Sequence, residues 1–256
     1  TRNMIILENT TFKVHAIKGY IATLYLVEYT DRLLLLDGGC RCDAQTIVLY
    51  IQSIERTIKE LQLILVTHPH PDHSGGAPLL QKQYNIPIAA SPQINEWYTG
   101  ISGWLTQQVD ILLTYYVARK KKQPWKSLFF PRHIHIDHPI IEYCSELPGF
   151  PDWNVIPTPG HTSTDTSVYH KQESIAYIAD LIIGLGTRYK SPYPISKPTL
   201  YKKSLEGIRD LSFEHCLLAH HGTHFISADT FNQVIDSVSP TPKNHKNSIA
   251  TRLGFR

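Results

Sequence analysis

Cysteine is scarce and poorly spaced for chemistry: the four in 256 residues, at positions 40, 42, 144 and 216, form no CxxC pair. That spacing excludes a disulfide scaffold and a thiolate-bound zinc or iron–sulfur centre, and free thiols are expected. Long apolar runs are missing too. None approaches the roughly 18 residues that cross a bilayer, and residues 1–7 lack the extended apolar core of a signal peptide, so a soluble, cytoplasmic protein is expected. Charge of one sign is also lacking. Lys and Arg number 25 against 22 Asp and Glu, and a net charge of +3 is too weak a field to imply nucleic acid as a partner. No low-complexity tract or solenoid-length repeat appears. With 42% hydrophobic and 18% charged residues the chain has ordinary globular composition, and its length suits one large domain over residues 1–256.

What the chain does have is histidine, 14 in all, and three of them crowd one loop. Thr67-His68-Pro69-His70-Pro71-Asp72-His73-Ser74-Gly75-Gly76 follows directly on the apolar run Leu61-Gln62-Leu63-Ile64-Leu65-Val66. A strand ending in such a loop delivers metal ligands at its tip. Imidazole mixed with carboxylate suits zinc, manganese or iron and marks a catalytic rather than a structural site.

The rest of the chain is punctuated like a layered α/β protein. Segments 12–18, 21–29 and 33–36 are rich in β-branched and aromatic residues, as consecutive strands are, and the third runs into Asp37-Gly38-Gly39. Ile47, Ile51, Ile54, Ile58 and Leu61 recur at helical spacing ahead of the histidine strand. A helix is expected over 74–84 and a strand over 86–90. From about 94 to 150 the pattern changes and reads as a helical insertion, in which Leu105, Val109, Leu112 and Tyr116 form a stripe expected to pack on the insertion's own core. Arg119, Lys120, Lys121 and Lys122 at its end have the chemistry to bind phosphates, but cations in a helix's last turn also complement its dipole, and that is the role expected here. Strands are then expected at 153–158, 167–169, 174–179 and 216–219, helices at 201–211 and 228–238, and a loosely attached tail over about 239–256.

Three more strand ends carry possible ligands: His161 in Thr158-Pro159-Gly160-His161-Thr162, Asp180 after Ile175-Ala176-Tyr177-Ile178-Ala179, and His220-His221-Gly222 after Leu217-Leu218-Ala219. In this order the sequence resembles the metallo-β-lactamase superfamily, whose marks are an early Asp-Gly-Gly, His-x-His-x-Asp-His, a Gly-His, a strand-end Asp and a final His-Gly. The resemblance implies a four-layer αβ/βα sandwich with the metal centre at one edge. It implies that His68, His70 and His161 hold one ion, that Asp72, His73 and His221 hold the other, and that Asp180 bridges them. His221 is taken over His220 because the family histidine immediately precedes glycine. Asp37 would brace the ligand loops from behind. A second His-x-His-x-Asp-His, at His133, His135, Asp137 and His138, follows no long apolar strand and precedes Pro139; alternation of His with Ile there reads as a strand with one wet face.

Two divalent ions about 4 Å apart would share a hydroxide as nucleophile, with Asp72 orienting it. The expected activity is hydrolysis of a small ester, thioester or lactone, with zinc as first choice of metal and iron or manganese as alternatives. The expected partner is a small-molecule substrate, with no nucleic acid and no membrane; a homodimer is compatible. The alternatives are phosphodiester or RNA cleavage, an iron-dependent sulfur dioxygenase, and a metal-bound binding protein. The loop strings look like those of hydroxyacylglutathione hydrolases, but only 35 residues follow His221, too few for that family's helical glutathione-binding part. The superfamily's homoserine-lactone hydrolases have a tyrosine three residues after the bridging Asp, where this chain has Ile183. Trp97, Trp104 and Tyr116 are expected to offer apolar surface to the substrate.

Overall fold

The computed structural model describes residues 4–141, 145–186, 188–211, 213–224 and 226–243. One sheet holds, in spatial order, β1 (Met4–Glu8), β2 (Phe12–Lys18), β3 (Thr23–Tyr29), β4 (Leu33–Leu36), β5 (Leu61–Val66), β6 (Ile88–Ala90) and β7 (His138–Pro139), antiparallel up to β4 and parallel from there on. The other is built from β8 (Glu146–Leu147), β9 (Phe150–Pro157), β10 (Thr166–His170) and β11 (Ile175–Tyr177). A separate hairpin, β12 (Ile183–Leu185) with β13 (Arg188–Lys190), comes next in the chain, before β14 (His215–Leu218) and β15 (Gly222–His224) complete the second sheet in the order β15-β14-β11-β10-β9-β8. Among the described residues six α-helices accompany them: α1 (Asp43–Ser53), α2 (Pro71–Ser74), α3 (Ala77–Tyr84), α4 (Gly100–Lys120), α5 (Pro198–Arg209) and α6 (Ala228–Ser237).

Three apolar layers account for the four-layer sandwich. Tyr25, Leu34, Leu36, Trp153, Val168 and Tyr177 fill the space between the sheets. Leu33, Leu35, Ile64 and Val66 meet Ile47 and Ile51 of α1 and Leu80 of α3 on the outer face of the first sheet. Cys216 and Leu218 meet Leu205 and Ile208 of α5 and Phe231 and Val234 of α6 on the outer face of the second. Strand β4 is leucine at all four positions because both of its faces are covered. Full burial of each such side chain is worth about 1.5–3 kcal/mol.

Several expected boundaries move. The 47–61 stripe is not one helix, since α1 stops at Ser53, Glu55 takes a positive φ of 60°, and Ile58 starts a separate 3₁₀ turn over Ile58–Glu60 in which the Glu60 carboxylate caps Thr57 N at 2.7 Å. Ile54 and Ile58 still pack against the same core, which is why the spacing looked continuous. The 74–84 helix is divided at Gly75-Gly76. Cys40 and Cys216 are buried free thiols and Cys42 is a half-buried one; Cys144 lies outside the described residues. Of the expected tail, Lys243 exchanges backbone hydrogen bonds with Ile195 at 2.8 and 2.9 Å, which ties it down; positions 244–256 lie outside the described residues.

Helix α4 departs most from its pattern. Leu105, Leu112 and Tyr116 are 52%, 65% and 60% exposed, and the buried face is Gly103, Gln107, Asp110, Thr114 and Ala118. A period-based reading assumes that the polar side faces water. Here the polar residues face the protein, where Gln107 donates to Phe130 O and Asp110 accepts from Tyr98 beside His70, while Ala118 at the end of the helix packs with Tyr20, Ile21 and Leu128. No helix among the described residues is long and apolar enough to cross a membrane.

Candidate metal centre

The parallel pairing of β4 with β5 brings the loop after each strand to the same edge. Asp37 N donates to Leu65 O at 2.9 Å, Gly38 N to His73 O at 2.8 Å, and Gly76 N to Gly39 O at 2.9 Å. Glycine is required at this junction, since a Cβ on Gly76 would come within 2.2 Å of Gly38 O. The Asp-Gly-Gly and the Gly-Gly after the histidines thus form one contact. Within it Asp37, at a positive φ of 66°, accepts hydrogen bonds from Thr67 N at 2.8 Å, Thr67 Oγ1 at 2.8 Å, His73 Nδ1 at 2.7 Å and Tyr177 Oη at 2.5 Å.

Two groups of donor atoms face each other across this edge: His68, His70, His161 and Asp180 in one, Asp72, His73 and His220 in the other. Asp180 lies between them, with Oδ1 3.3 Å from both His73 Nε2 and His220 Nε2 and Oδ2 3.8 Å from His161 Nε2. His220 Nε2 is 3.1 Å from Asp72 Oδ2. The far nitrogen of most of these rings is occupied. His73 Nδ1 donates to Asp37, His161 Nδ1 donates to Pro194 O at 2.6 Å, and His68 Nδ1 lies 3.0 Å from Thr67 Oγ1, whose own proton goes to Asp37. Such partners fix the tautomer and leave the other nitrogen for a metal. Among the described residues the buried His68 Nε2 has no hydrogen-bond partner, and the buried His73 Nε2 and Asp180 Oδ1 face each other at 3.3 Å without hydrogen-bond geometry, an arrangement that costs free energy unless a cation completes it. The residues present therefore fit two divalent ions held by nitrogen and oxygen.

Electrostatics divides the two groups. Burial pushes the His68 and His70 imidazoles down, His70 to about 4, and neighbouring histidines lower His68 further, so both are neutral. Burial alone would do the same to His73 and His220, but Asp180, with Asp72 and for His73 also Asp37, outweighs it; His73 is held well above its ordinary value and His220 is pushed up to about 9. Burial would raise Asp72, yet His73 and His220 bring it down to about 2.

Six of the seven residues expected as ligands, His68, His70, Asp72, His73, His161 and Asp180, fall within the two donor groups. His220 occupies the place expected for His221. The reason lies in register: β11 and β14 run parallel, and Ala219 N bonds Ala179 O at 3.3 Å, which sets the next residue, His220, beside Asp180. His221 instead turns to the hairpin, 6.0 Å from the Tyr189 ring and against Gly184. The second His-x-His-x-Asp-His is no strand beyond His138–Pro139; Ile134 is buried, His133 and His135 are exposed, and Asp137 is used structurally, accepting from Ile88 N at 2.8 Å and Gln81 Nε2 at 2.7 Å. Two contributors went unread in the sequence. Asp165 accepts from Gly160 N, Thr162 N and Thr162 Oγ1 at 3.1, 2.7 and 2.7 Å and so shapes the turn that presents His161. Asp110 of α4 lies 3.9 Å from His70 Nε2.

Beside the donors opens a cavity of about 730 Å³, lined by His70, Asp72, Asp180 and His220, by Leu113, Tyr116, Val117 and Lys121 of the insertion, and by Ile183, Leu185 and Lys190 of the hairpin. Of the aromatic residues expected to meet substrate, Tyr116 lines it. Trp104 does not, and Trp97 packs its ring 6.0 Å from that of His70. Lys121 is more than a dipole partner, since its Nζ donates to Ile21 O on the cavity wall.

A family model described as the metallo-beta-lactamase superfamily matches residues 18–220, and the chain belongs to that superfamily. The probable metallo-hydrolase YflN of Bacillus subtilis is 23% identical over 194 residues, 73% of this chain and 71% of that protein. Ribonuclease J of Mycoplasma genitalium is 35% identical over 77 residues, but the match spans only 14% of its length and 28% of this chain. Among solved structures, an archaeal superfamily protein from Sulfolobus tokodaii superposes with a TM-score of 0.62 at 20% identity, covering 87% of this chain and 84% of that one. The chemotaxis sensor ODP, in a peroxy diiron form, gives 0.62 at 16% identity over 97% of this chain and 100% of that chain. These structural likenesses concern the fold.

Proposed function

We propose that the chain is a binuclear metal-dependent hydrolase of a small ester, thioester or lactone, with zinc as the first choice of metal. One observation carries this reading: four donors and three donors with a shared Asp180 open onto a cavity whose wall includes the apolar Leu113, Val117, Ile183 and Leu185. His68, His70 and His161 would hold one ion and Asp72, His73 and His220 the other, with Asp180 shared. Bound there, the pair would supply a nucleophilic water at neutral pH and an electrophile for the substrate oxygen. Asp72, ionised and beside both His73 and His220, would orient that water. The apolar walls would take the acyl or ring portion of the substrate and exclude bulk water.

Phosphodiester cleavage is the second reading, and it is favoured by Lys121 and Lys190 lining the same cavity. Elemental analysis of protein purified without chelator, followed by a panel of thioesters, lactones and phosphodiesters, tests both. The expected result is close to two metals per chain, activity on the carbonyl substrates, and a changed substrate ranking in Tyr116→Ala. Phosphodiesterase activity that falls in Lys121→Gln with a weakened salt dependence would promote the second reading. A single equivalent of iron would overturn both in favour of oxygen chemistry.

A further inference from the structure

The inward face of α4 consists of Gly103, Gln107, Asp110, Thr114 and Ala118, of which only Asp110 is charged. Gln107 Nε2 donates to Phe130 O at 3.1 Å and Thr114 Oγ1 to Asp110 O at 2.9 Å, so both hydrogen-bond within the insertion. Asp110, 4% exposed, aims its carboxylate at the metal edge. Its Oδ2 accepts the Tyr98 hydroxyl proton at 2.9 Å and stands 3.9 Å from His70 Nε2.

The two nitrogens of His70 face different surroundings. Nδ1 is 3.1 Å from His161 Nε2 and is the atom turned toward the other ligands. Nε2, on the far edge of the ring, is buried without a hydrogen-bond partner among the described residues. A neutral imidazole that ligates through Nδ1 carries its proton on Nε2, and a carboxylate is the acceptor that such a proton takes most strongly.

We propose that Asp110 is a positioning residue for the ion held by His68, His70 and His161. On metal loading, His70 Nε2–H donates to Asp110 Oδ2, which fixes the imidazole ring and makes Nδ1 a better donor. The 3.9 Å separation has to close by about 1 Å to reach the usual length of a charge-assisted hydrogen bond. Tyr98, buried at the end of the 3₁₀ turn Ile94–Tyr98, holds the same oxygen, so the insertion supports the metal centre as well as walling the cavity. The assignment rests on the metal-centre part of the proposed function and is independent of the substrate.

Asp110→Asn tests it, because the amide keeps the size of the side chain and can still accept from Tyr98. The measurements are zinc affinity by competition with a chelator, the visible spectrum of the cobalt-substituted protein, and the urea midpoint of the metal-free protein. We expect 10- to 100-fold weaker binding of the first ion, an altered cobalt spectrum and an unchanged metal-free midpoint. Tyr98→Phe, which keeps the carboxylate but removes the hydroxyl that donates to Oδ2, should show a smaller loss in the same direction. Wild-type affinity and cobalt spectrum in both variants would overturn the assignment, as would a lowered metal-free midpoint with unchanged affinity. A wild-type protein that takes up no zinc would sink the metal-centre reading, and this assignment with it.

Discussion

Replacing Asp37 by asparagine separates what the centre's buried carboxylate contributes to folding from what it contributes to metal binding. The backbone is not strained by the change, because asparagine tolerates the left-handed conformation as well as aspartate does, and φ at Asp37 is 66°. The hydrogen bonds are what change. Asp37 Oδ1 faces the N–H of Thr67, a donor that cannot turn away, and Oδ2 faces His73 Nδ1–H and the Tyr177 hydroxyl. Whichever way the amide is placed, its NH₂ group meets at least one fixed donor. A buried donor left without a partner costs about 1–3 kcal/mol, and the bonds that survive fall from charge-assisted to neutral strength. Together these give roughly 3 kcal/mol, which for a chain of this size lowers the melting temperature by about 6–12 °C. The metal-free variant should therefore unfold at lower urea than the metal-free wild type. His73 would also lose its anchor, and the ion bound by Asp72, His73 and His220 should bind about 10- to 100-fold more weakly. Urea titration of chelator-treated protein and a zinc titration of each form measure the two effects. An Asp37→Asn protein with the wild-type midpoint and wild-type affinity for both ions would refute the reasoning.

Three further outcomes are expected. His70→Ala should lose metal while His135→Ala retains it, because His135 is exposed and paired with Asp137 away from the donor groups; equal loss on elemental analysis would undo the assignment. His220→Ala should lower the metal content by one equivalent and His221→Ala should not, the reverse of what adjacency to glycine suggested. Metal-free protein should take up its second ion with release of protons at pH 7 and with affinity that climbs toward pH 9, because His73 and His220 are raised, His220 to about 9, and must be neutral to ligate. For the metal-free fold the sign is opposite: a histidine raised above its unfolded value of about 6.5 stabilises fully below that value, and the contribution fades as pH rises through about 9. Calorimetry in buffers of different ionisation enthalpy, with urea midpoints across that range, would expose either error.

Most of the strands and the outer helices could be read from the sequence, because each is decided by near neighbours. Strand β4 shows itself as unbroken leucine, and α5 and α6 show as one-sided patterns whose apolar side meets a sheet. The histidine loop was legible for the same reason, since its ligands stand within six residues on one turn. What the sequence could not decide was whatever depends on a surface brought from elsewhere. The outward stripe of α4 has the spacing of a core face, and only the polar metal edge beneath the helix makes Asp110 the residue that points in. The choice between His220 and His221 belongs to the same class. The two are adjacent and chemically identical, and nothing local distinguishes them until the parallel register of β11 with β14 sets Ala219 beside Ala179 and so puts His220, one residue on, next to Asp180.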